Sequence, residues 1–541
     1  MRGAKFIHFF LFFISFLFFG YLFFIQCIKF GYYRRISEKT HQKKVILCGS
    51  RGNIFDRNGL ALATSEPCFS VFCTPQYAKD KKRLATEIAL ISQRPVFEIK
   101  RLLEDNKFFW LEMKVNVEKR DRYLNLNDPS IGYTHDLRRI YTMPDVFGSI
   151  IGRCSMDNRG IEGIELYFDE ILSGKSGFVV YQKDPSGELF PYYNYPEEDP
   201  KPGKDLYLTI DLQLQTILYT QLKECLNQKN AKATSGLIIN PRTGEILAMV
   251  NISKDGKMRN SAVCDEFEPG STFKIVGLAF ALSNGIKETE LFNTNAGKIN
   301  INGHIIHDYK NYGIITLSEA IVHSSNVVMS MLAERFNQDN FLLMTQDFGF
   351  TEITGIEFPG EAAGHLAKTK KLNQIEFATL LFGQGITCNL LQLAFAYQAI
   401  ANNGVLNKPI ILSQVRDKKK IVYQTEPLRV RRVVDEDIAR RITKILCEVV
   451  DEGTGTGAKL DGVRVAGKTG TAQKAVNGQY STTQITATFV GYFPADNPEY
   501  LVALMVDEPQ NERWASTIVA PVFKQIAQRI CQIRNFEYAF K

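Results

Sequence analysis

Glu268-Pro269-Gly270-Ser271-Thr272-Phe273-Lys274 places a serine and a lysine at an i, i+3 spacing where the chain turns into a helix. Pro269-Gly270 supplies the turn, and Ile275 to Leu282 is apolar on almost every face before Asn284-Gly285 ends the helix. An element apolar all round lies inside a core. On it the Ser271 hydroxyl and the Lys274 amine share one face, so the amine can take the hydroxyl proton. The helix N-terminus favours a developing alkoxide, and burial lowers the affinity of a lysine for its proton. S-x-x-K also matches by chance in long chains. Here the lysine stands in an apolar helix, where an unpaired charge is costly. The pattern therefore needs partners further along the chain.

Working outward, Leu237-Ile238-Ile239, the Asn240 to Gly244 turn and Ile246 to Val250 read as paired strands, with Asp211 capping an amphipathic helix before them. Thr316-Leu317-Ser318-Glu319 is a capping box, followed by His323-Ser324-Ser325-Asn326 and a helix over Val327 to Phe336. Val463 to Thr471 alternates as a strand does, Asn477-Gly478 offers a turn, and Thr486 to Phe493 and Tyr500 to Val506 supply further strands. Helices thus sit between an early pair of strands and a late group, which predicts an antiparallel sheet covered by helices, an α+β fold.

The chain has 541 residues, 45% of them hydrophobic, and can bury cores for more than one domain. Phe6 to Ile25 is almost unbroken Phe, Leu and Ile, enough for one helical crossing of about 30 Å of hydrocarbon. The run exceeds a signal-peptide core and no small-x-small cleavage site follows, so an uncleaved anchor is expected. Lys29, Arg34, Arg35, Lys39, Lys43 and Lys44 follow it, against Arg2 and Lys5 before it. Flanking charge alone would put the large domain in the cytoplasm, a bias that long domains override. With a net charge of only +7, these residues read as a membrane-proximal basic segment rather than a nucleic-acid surface. The ten cysteines are scattered with no C-x-x-C pair, which indicates neither a zinc site nor a disulfide framework; Cys68 with Cys73 is the one near pair. Asn58-Gly59 between apolar runs predicts a hairpin, and Tyr192 to Gly203 reads as the main boundary. The expected domains are an anchor over 1–35, a non-catalytic pedestal over 36–200 and a catalytic domain over 201–541.

Ser271/Lys274, Ser324/Asn326 and Lys468-Thr469-Gly470 follow one another as S-x-x-K, S-x-N and K-T-G, the set found in serine β-lactamases and penicillin-binding proteins. Arg259 to Val263, Phe267 to Ser271, His323 to Val327 and Ala466 to Gln473 resemble the monofunctional class B penicillin-binding proteins of cell division, the FtsI type. Arg51 to Ala63 and Gly160 to Gly174 resemble that family's non-catalytic domain. The resemblance implies a penicillin-binding, β-lactamase-like transpeptidase domain with an all-α subdomain, behind a transmembrane helix and a mainly-β pedestal. It implies a peptidoglycan D,D-transpeptidase that crosslinks stem peptides at the septum, on the outer side of the bacterial inner membrane. Ser271 would be the nucleophile and Lys274 its base, with Ser324 passing a proton to the leaving amine and Asn326 holding the substrate amide. Lys468 would supply positive charge, and Thr469, Gly470 and Thr471 would bind the substrate carboxylate, the backbone N–H groups of Ser271 and Thr471 forming the oxyanion hole. Implied partners are stem peptides, β-lactams, a polytopic SEDS-type glycosyltransferase and other division proteins. No cofactor is expected, and no metal, since His304, His307 and Asp308 lack an H-E-x-x-H helix.

Rival readings differ in specific ways. Gly462 to Thr469 satisfies the P-loop pattern G-x-x-x-x-G-K-[ST], but a P-loop lysine opens a helix, whereas the residues before Lys468 alternate like a strand. A D,D-carboxypeptidase would use water in place of the acceptor amine, and a membrane-bound β-lactam sensor would share the three motifs. A division scaffold without turnover would not need them intact.

Overall fold

The computed structural model describes residues 2–183, 189–191, 196–366, 371–476, 479–510 and 512–534. The chain forms two compact units, one of residues 1–51, 67–137 and 173–203, the other of residues 52–66, 138–172 and 204–541. The expected pedestal is thus divided, with 52–66 and 138–172 belonging to the larger unit. The reason lies in strand pairing. Ile54–Phe55 forms the expected hairpin with Ala61 and Ala63 around Asn58-Gly59, and also pairs in parallel with Leu206 and Tyr207.

In the larger unit, five strands form one antiparallel sheet: β1 (Ala233–Ile239), β2 (Ile246–Ser253), β3 (Ala466–Val476), β4 (Gln479–Phe493) and β5 (Tyr500–Asp507). Their order is β2-β1-β5-β4-β3, which leaves β3, the carrier of Lys468, at an edge. Asn477-Gly478 lies outside the described residues. One cluster of apolar side chains joins Leu218 and Leu222 of helix α1 (Leu212–Gln228) to Ile238, Phe489 and Leu504 of the sheet. The carboxylate of Asp211 caps α1 by accepting from the N–H groups of Gln213 and Leu214.

The second cluster gathers helices α2 (Lys274–Ser283), α3 (Asn326–Leu332), α4 (Leu390–Ala401) and α5 (Glu436–Asp451). Helix α2 has every residue from Lys274 to Leu282 buried, as its all-round apolar sequence requires. Helix α5 instead buries one stripe, Ala439, Ile442, Ile445, Leu446 and Val449, at helical spacing. The capping box at Thr316 and Glu319 is formed, with both the hydroxyl and the carboxylate engaged. Helix α3 ends at Leu332, four residues short of the expected Phe336.

The smaller unit packs helices Lys81–Ser92, Val96–Glu104 and Val117–Leu124 on the pair of strands formed by Phe69 to Cys73 and Phe109–Val115. Its core holds Leu84, Ile88, Ile99, Leu103, Leu111 and Tyr123. Gln42–Leu47 pairs antiparallel with Gly177–Lys183. Lys5–Ile28 is one helical stretch long and apolar enough to cross a membrane, and none of its most apolar window is buried. The cysteines form no disulfide among the described residues, and Cys68 is not bridged to Cys73.

Candidate active site

Ser271 lies on a 3-10 turn, Gly270–Phe273, and Lys274 begins the α-helix that follows. In a 3-10 turn residues i and i+3 eclipse, which aligns the two more closely than an α-helix would. The turn is clamped from three sides. Gly270 has φ of 54° and donates its N–H to the Gly383 carbonyl at 3.1 Å. The Thr272 hydroxyl donates to Pro269 O at 2.6 Å, and the buried Tyr397 hydroxyl of α4 donates to Thr272 O at 2.8 Å. On the β3 side, a Cβ added to Gly470 would come 2.9 Å from Pro269 O, so only glycine lets the strand approach this closely.

Lys274 is 0% exposed. Its amine donates to Ser324 O at 2.6 Å, to Asn326 Oδ1 at 2.8 Å and to Ser324 Oγ at 3.1 Å. S-x-x-K and S-x-N thus meet at one nitrogen. Burial holds this amine well below the usual lysine range, the charge of Lys468 pushes it further down, and Asp308 pulls the other way. A neutral amine has two N–H groups, which the Ser324 carbonyl and Asn326 Oδ1 occupy. Its lone pair is then left for a hydroxyl, the arrangement a general base needs. Ser271 makes no side-chain hydrogen bond among the described residues.

Ser324 has φ of 61°, in the left-handed region that a non-glycine residue occupies at a cost. What holds the loop there is Asp308. Its Oδ1 accepts from the N–H groups of Asn326 at 2.6 Å and Val327 at 3.0 Å, and its Oδ2 accepts from Ser325 Oγ at 2.6 Å. Asp308 entered the sequence reading only as a poor metal ligand beside His304 and His307; its use here is to fix α3's first turn, where a carboxylate is favoured.

Lys468 is also 0% exposed, and burial lowers its pKa to about 7. It sits inside a strand paired with Val490, not at the start of a helix, which removes the P-loop reading. Thr469 is 6% exposed and its hydroxyl donates to Thr454 Oγ1 at 2.9 Å. The Thr471 hydroxyl accepts from the Ala515 N–H at 3.1 Å, which leaves its proton free for a ligand. Gly470 packs against the serine turn, so the K-T-G strand and the S-x-x-K turn form one surface.

Residues 234–528 match the model of the penicillin-binding protein transpeptidase domain, and residues 47–208 that of the penicillin-binding protein dimerisation domain. The chain belongs to the penicillin-binding protein transpeptidase family. It is 32% identical to a probable peptidoglycan D,D-transpeptidase, PenA, of Neisseria meningitidis, over 93% of this chain and 88% of that one. With the peptidoglycan D,D-transpeptidase FtsI of Escherichia coli it shares 30% identity over 90% of this chain and 84% of the other. Among solved structures, penicillin binding protein 3 of Mycobacterium tuberculosis, complexed with aztreonam, has a TM-score of 0.71 at 25% identity. The match covers 91% of this chain and 98% of that one. Pairing a dimerisation domain with a transpeptidase domain makes this a class B penicillin-binding protein.

Three residues of the site have roles that no sequence pattern shows. Asp308 and Thr454 act across long separations on a backbone and a hydroxyl, which no local pattern encodes. Glu268 stands in the quoted stretch itself. Its carboxylate accepts from Gly385 N–H at 2.9 Å and from the Tyr480 hydroxyl at 3.1 Å, and burial raises its pKa. The only signal for it was a carboxylate directly before a core turn.

Proposed function

We propose that this penicillin-binding protein is a serine D,D-transpeptidase of peptidoglycan, acting through an acyl-enzyme on Ser271. The observation that carries the reading is the buried Lys274 amine held between Ser324 and Asn326, one turn from Ser271 and beside a second buried amine, Lys468. Neutral Lys274 takes the Ser271 proton as Oγ attacks the carbonyl between the two terminal D-alanines of a stem peptide. Ser324 relays that proton to the departing D-alanine amine. Asn326 holds the substrate amide and the orientation of Lys274. Lys468, while charged, draws the terminal carboxylate toward the Thr471 hydroxyl. The Thr469 hydroxyl, already bonded to Thr454, supports the strand and reaches the carboxylate only by turning away from that partner. The N–H groups of Ser271 and Thr471 receive the oxyanion, and losing one such donor typically costs on the order of a hundredfold in rate. A side-chain amine of a second stem then attacks the acyl-enzyme, forming the crosslink and freeing Ser271.

The Lys5–Ile28 helix anchors the chain, and the catalytic unit works on the outer side of the cytoplasmic membrane, where its polymeric substrate lies. β-Lactams acylate the same serine. Septal synthesis is the setting that the likeness to FtsI supports, with a SEDS-type glycosyltransferase and other division proteins as partners. Fluorescent penicillin should label the protein covalently and Ser271→Ala should abolish the labelling; a labelled Ser271→Ala variant would sink the assignment. With lipid-linked peptidoglycan, crosslinked dimers support transpeptidation, and shortened stems alone would mean carboxypeptidase action.

A further inference from the structure

The basic segment that follows the anchor takes no part in the chemistry described above. From Lys29 to Lys44 it carries six Lys and Arg residues against one acidic residue, Glu38. Among the described residues neither Arg35 nor Lys43 has an ion pair. Lys29 meets only the ring faces of Phe24 and Tyr32, and Lys44 only that of Phe178. This charge is therefore left for something outside the chain.

Local structure gives the charge a shape. The anchor ends in one π-helical turn, Phe24–Ile28, and Lys29 then leaves helical geometry, with φ of −97° and ψ of 8°. Such turns are where helices bend. A new helix, Phe30–His41, starts on the Lys29 carbonyl, which accepts from the N–H groups of Tyr32 and Tyr33, both at 3.1 Å. At helical spacing Phe30, Tyr32, Tyr33 and Ile36 fall on one arc, and Arg34 and Arg35 on the other. The four apolar side chains stay between 45% and 59% exposed in the folded chain. An aromatic arc flanked by arginines, one residue beyond a helix able to cross a membrane, matches the boundary between acyl chains and headgroups.

We propose that Lys29 to Lys44 is a binding surface for anionic phospholipid, in the leaflet at the C-terminal end of the anchor. The aromatic arc enters the acyl boundary, and Lys29, Arg35 and Lys43 hold lipid phosphates. A zwitterionic headgroup brings an ammonium with every phosphate, so a surface with this excess of positive charge selects lipids that carry net negative charge. Without the anchor it is a single, salt-screened signal of the kind that binds only weakly and reversibly. It gathers the lipids that the anchor brings within reach; it does not hold the chain on a membrane by itself.

The test uses the full-length protein in detergent, with lipid adducts counted by native mass spectrometry as phosphatidylglycerol or phosphatidylcholine is titrated in. The wild type should hold phosphatidylglycerol at least about tenfold more tightly, since each basic residue near an anionic headgroup contributes roughly fivefold. The triple variant Lys29→Gln, Arg35→Gln, Lys43→Gln should lose that preference with phosphatidylcholine binding unchanged, and Lys29→Arg with Lys43→Arg should keep it. Tyr32→Ser with Tyr33→Ser should weaken both lipids alike. All of these side chains are exposed, and a melting curve like that of the wild type scores folding of each variant. Equal affinity of the wild type for the two lipids, or equal phosphatidylglycerol binding in wild type and triple Gln variant, overturns the lipid surface. Displacement of phosphatidylglycerol by inorganic phosphate would also overturn it, in favour of a plain anion site.

Discussion

Two lysines, both fully buried, have opposite duties. Lys274 must be neutral to accept a proton, and Lys468 must be charged to draw a carboxylate. Burial pushes both amines down, and the charge on Lys468 lowers Lys274 further while Asp308 opposes that shift. Acylation therefore rises as Lys274 is deprotonated and falls as pH passes through about 7, where Lys468 becomes neutral. Stopped-flow acylation by a penicillin should trace this bell. In Lys468→Arg the guanidinium stays charged, so the falling limb should move to higher pH while the rising limb stays; an unmoved falling limb would show that Lys468 does not set it. The same burial has a thermodynamic side. The unfolded lysine holds a proton that the folded site sheds, so stability rises with pH from the folded value of about 7 toward the ordinary lysine value. Lys468→Met should accordingly melt higher than wild type at pH near 7 while losing acylation. Asp308 is a positioning residue and is tested differently. Asp308→Ala should slow acylation by roughly ten- to a hundredfold, because Asn326 and the left-handed Ser324 lose their anchor. Removing its negative charge also lowers the Lys274 pKa, so the rising limb should shift to lower pH, a readout that mere loosening would not give.

At the scale of elements, the site is where a 3-10 turn, a helix start and an edge strand meet at contact distance. Gly383 shows how little space remains. It has φ of 84°, and a Cβ there would sit 2.2 Å from Gly270 O. Neither backbone can give way without moving Ser271, since Gly270 also donates to Gly383 O. Gly383→Ala should cost more than about 1 kcal/mol in urea unfolding and lower the acylation rate, whereas the same change at Gly285, with φ of 82° and open space around it, should leave acylation untouched. These elements were legible in unequal degree. The apolar run after Lys274, the capping box at Thr316 and the alternation around Lys468 are local; the helix and cap stand where the sequence puts them, whereas the strand expected over Val463 to Thr471 begins at Ala466 and runs on to Val476. The nitrogen at which Ser324 and Asn326 converge, and the Thr469 hydroxyl turned to Thr454, are products of packing between segments distant in sequence. Spacing alone carries no trace of them. The chemistry of the motifs could be read; the partner that each hydroxyl is given could not.

At the scale of the whole molecule, the passage from one unit to the other is the least legible feature. The strand Ala61–Cys73 begins in the larger unit and ends in the smaller, and Pro67 at the crossing is the single breaker within a run that otherwise reads as one strand. The boundary near 200 announces itself by proline and charge, and the chain returns to the larger unit at Lys204. The anchor is the opposite case, plain in sequence and free of packing. None of the most apolar window of Lys5–Ile28 is buried, so its apolar surface has no partner within the described chain. Exposed apolar area on that scale drives a helix into a bilayer, where its backbone is already satisfied. Deleting the segment through Ile28 removes no core contact and should leave a protein that no longer sediments with membranes and acylates penicillin at the wild-type rate, within about twofold. The full chain should resist carbonate extraction. A deleted form that remains membrane-bound would place the anchor elsewhere, and one that fails to label would mean that the helix supports the catalytic fold.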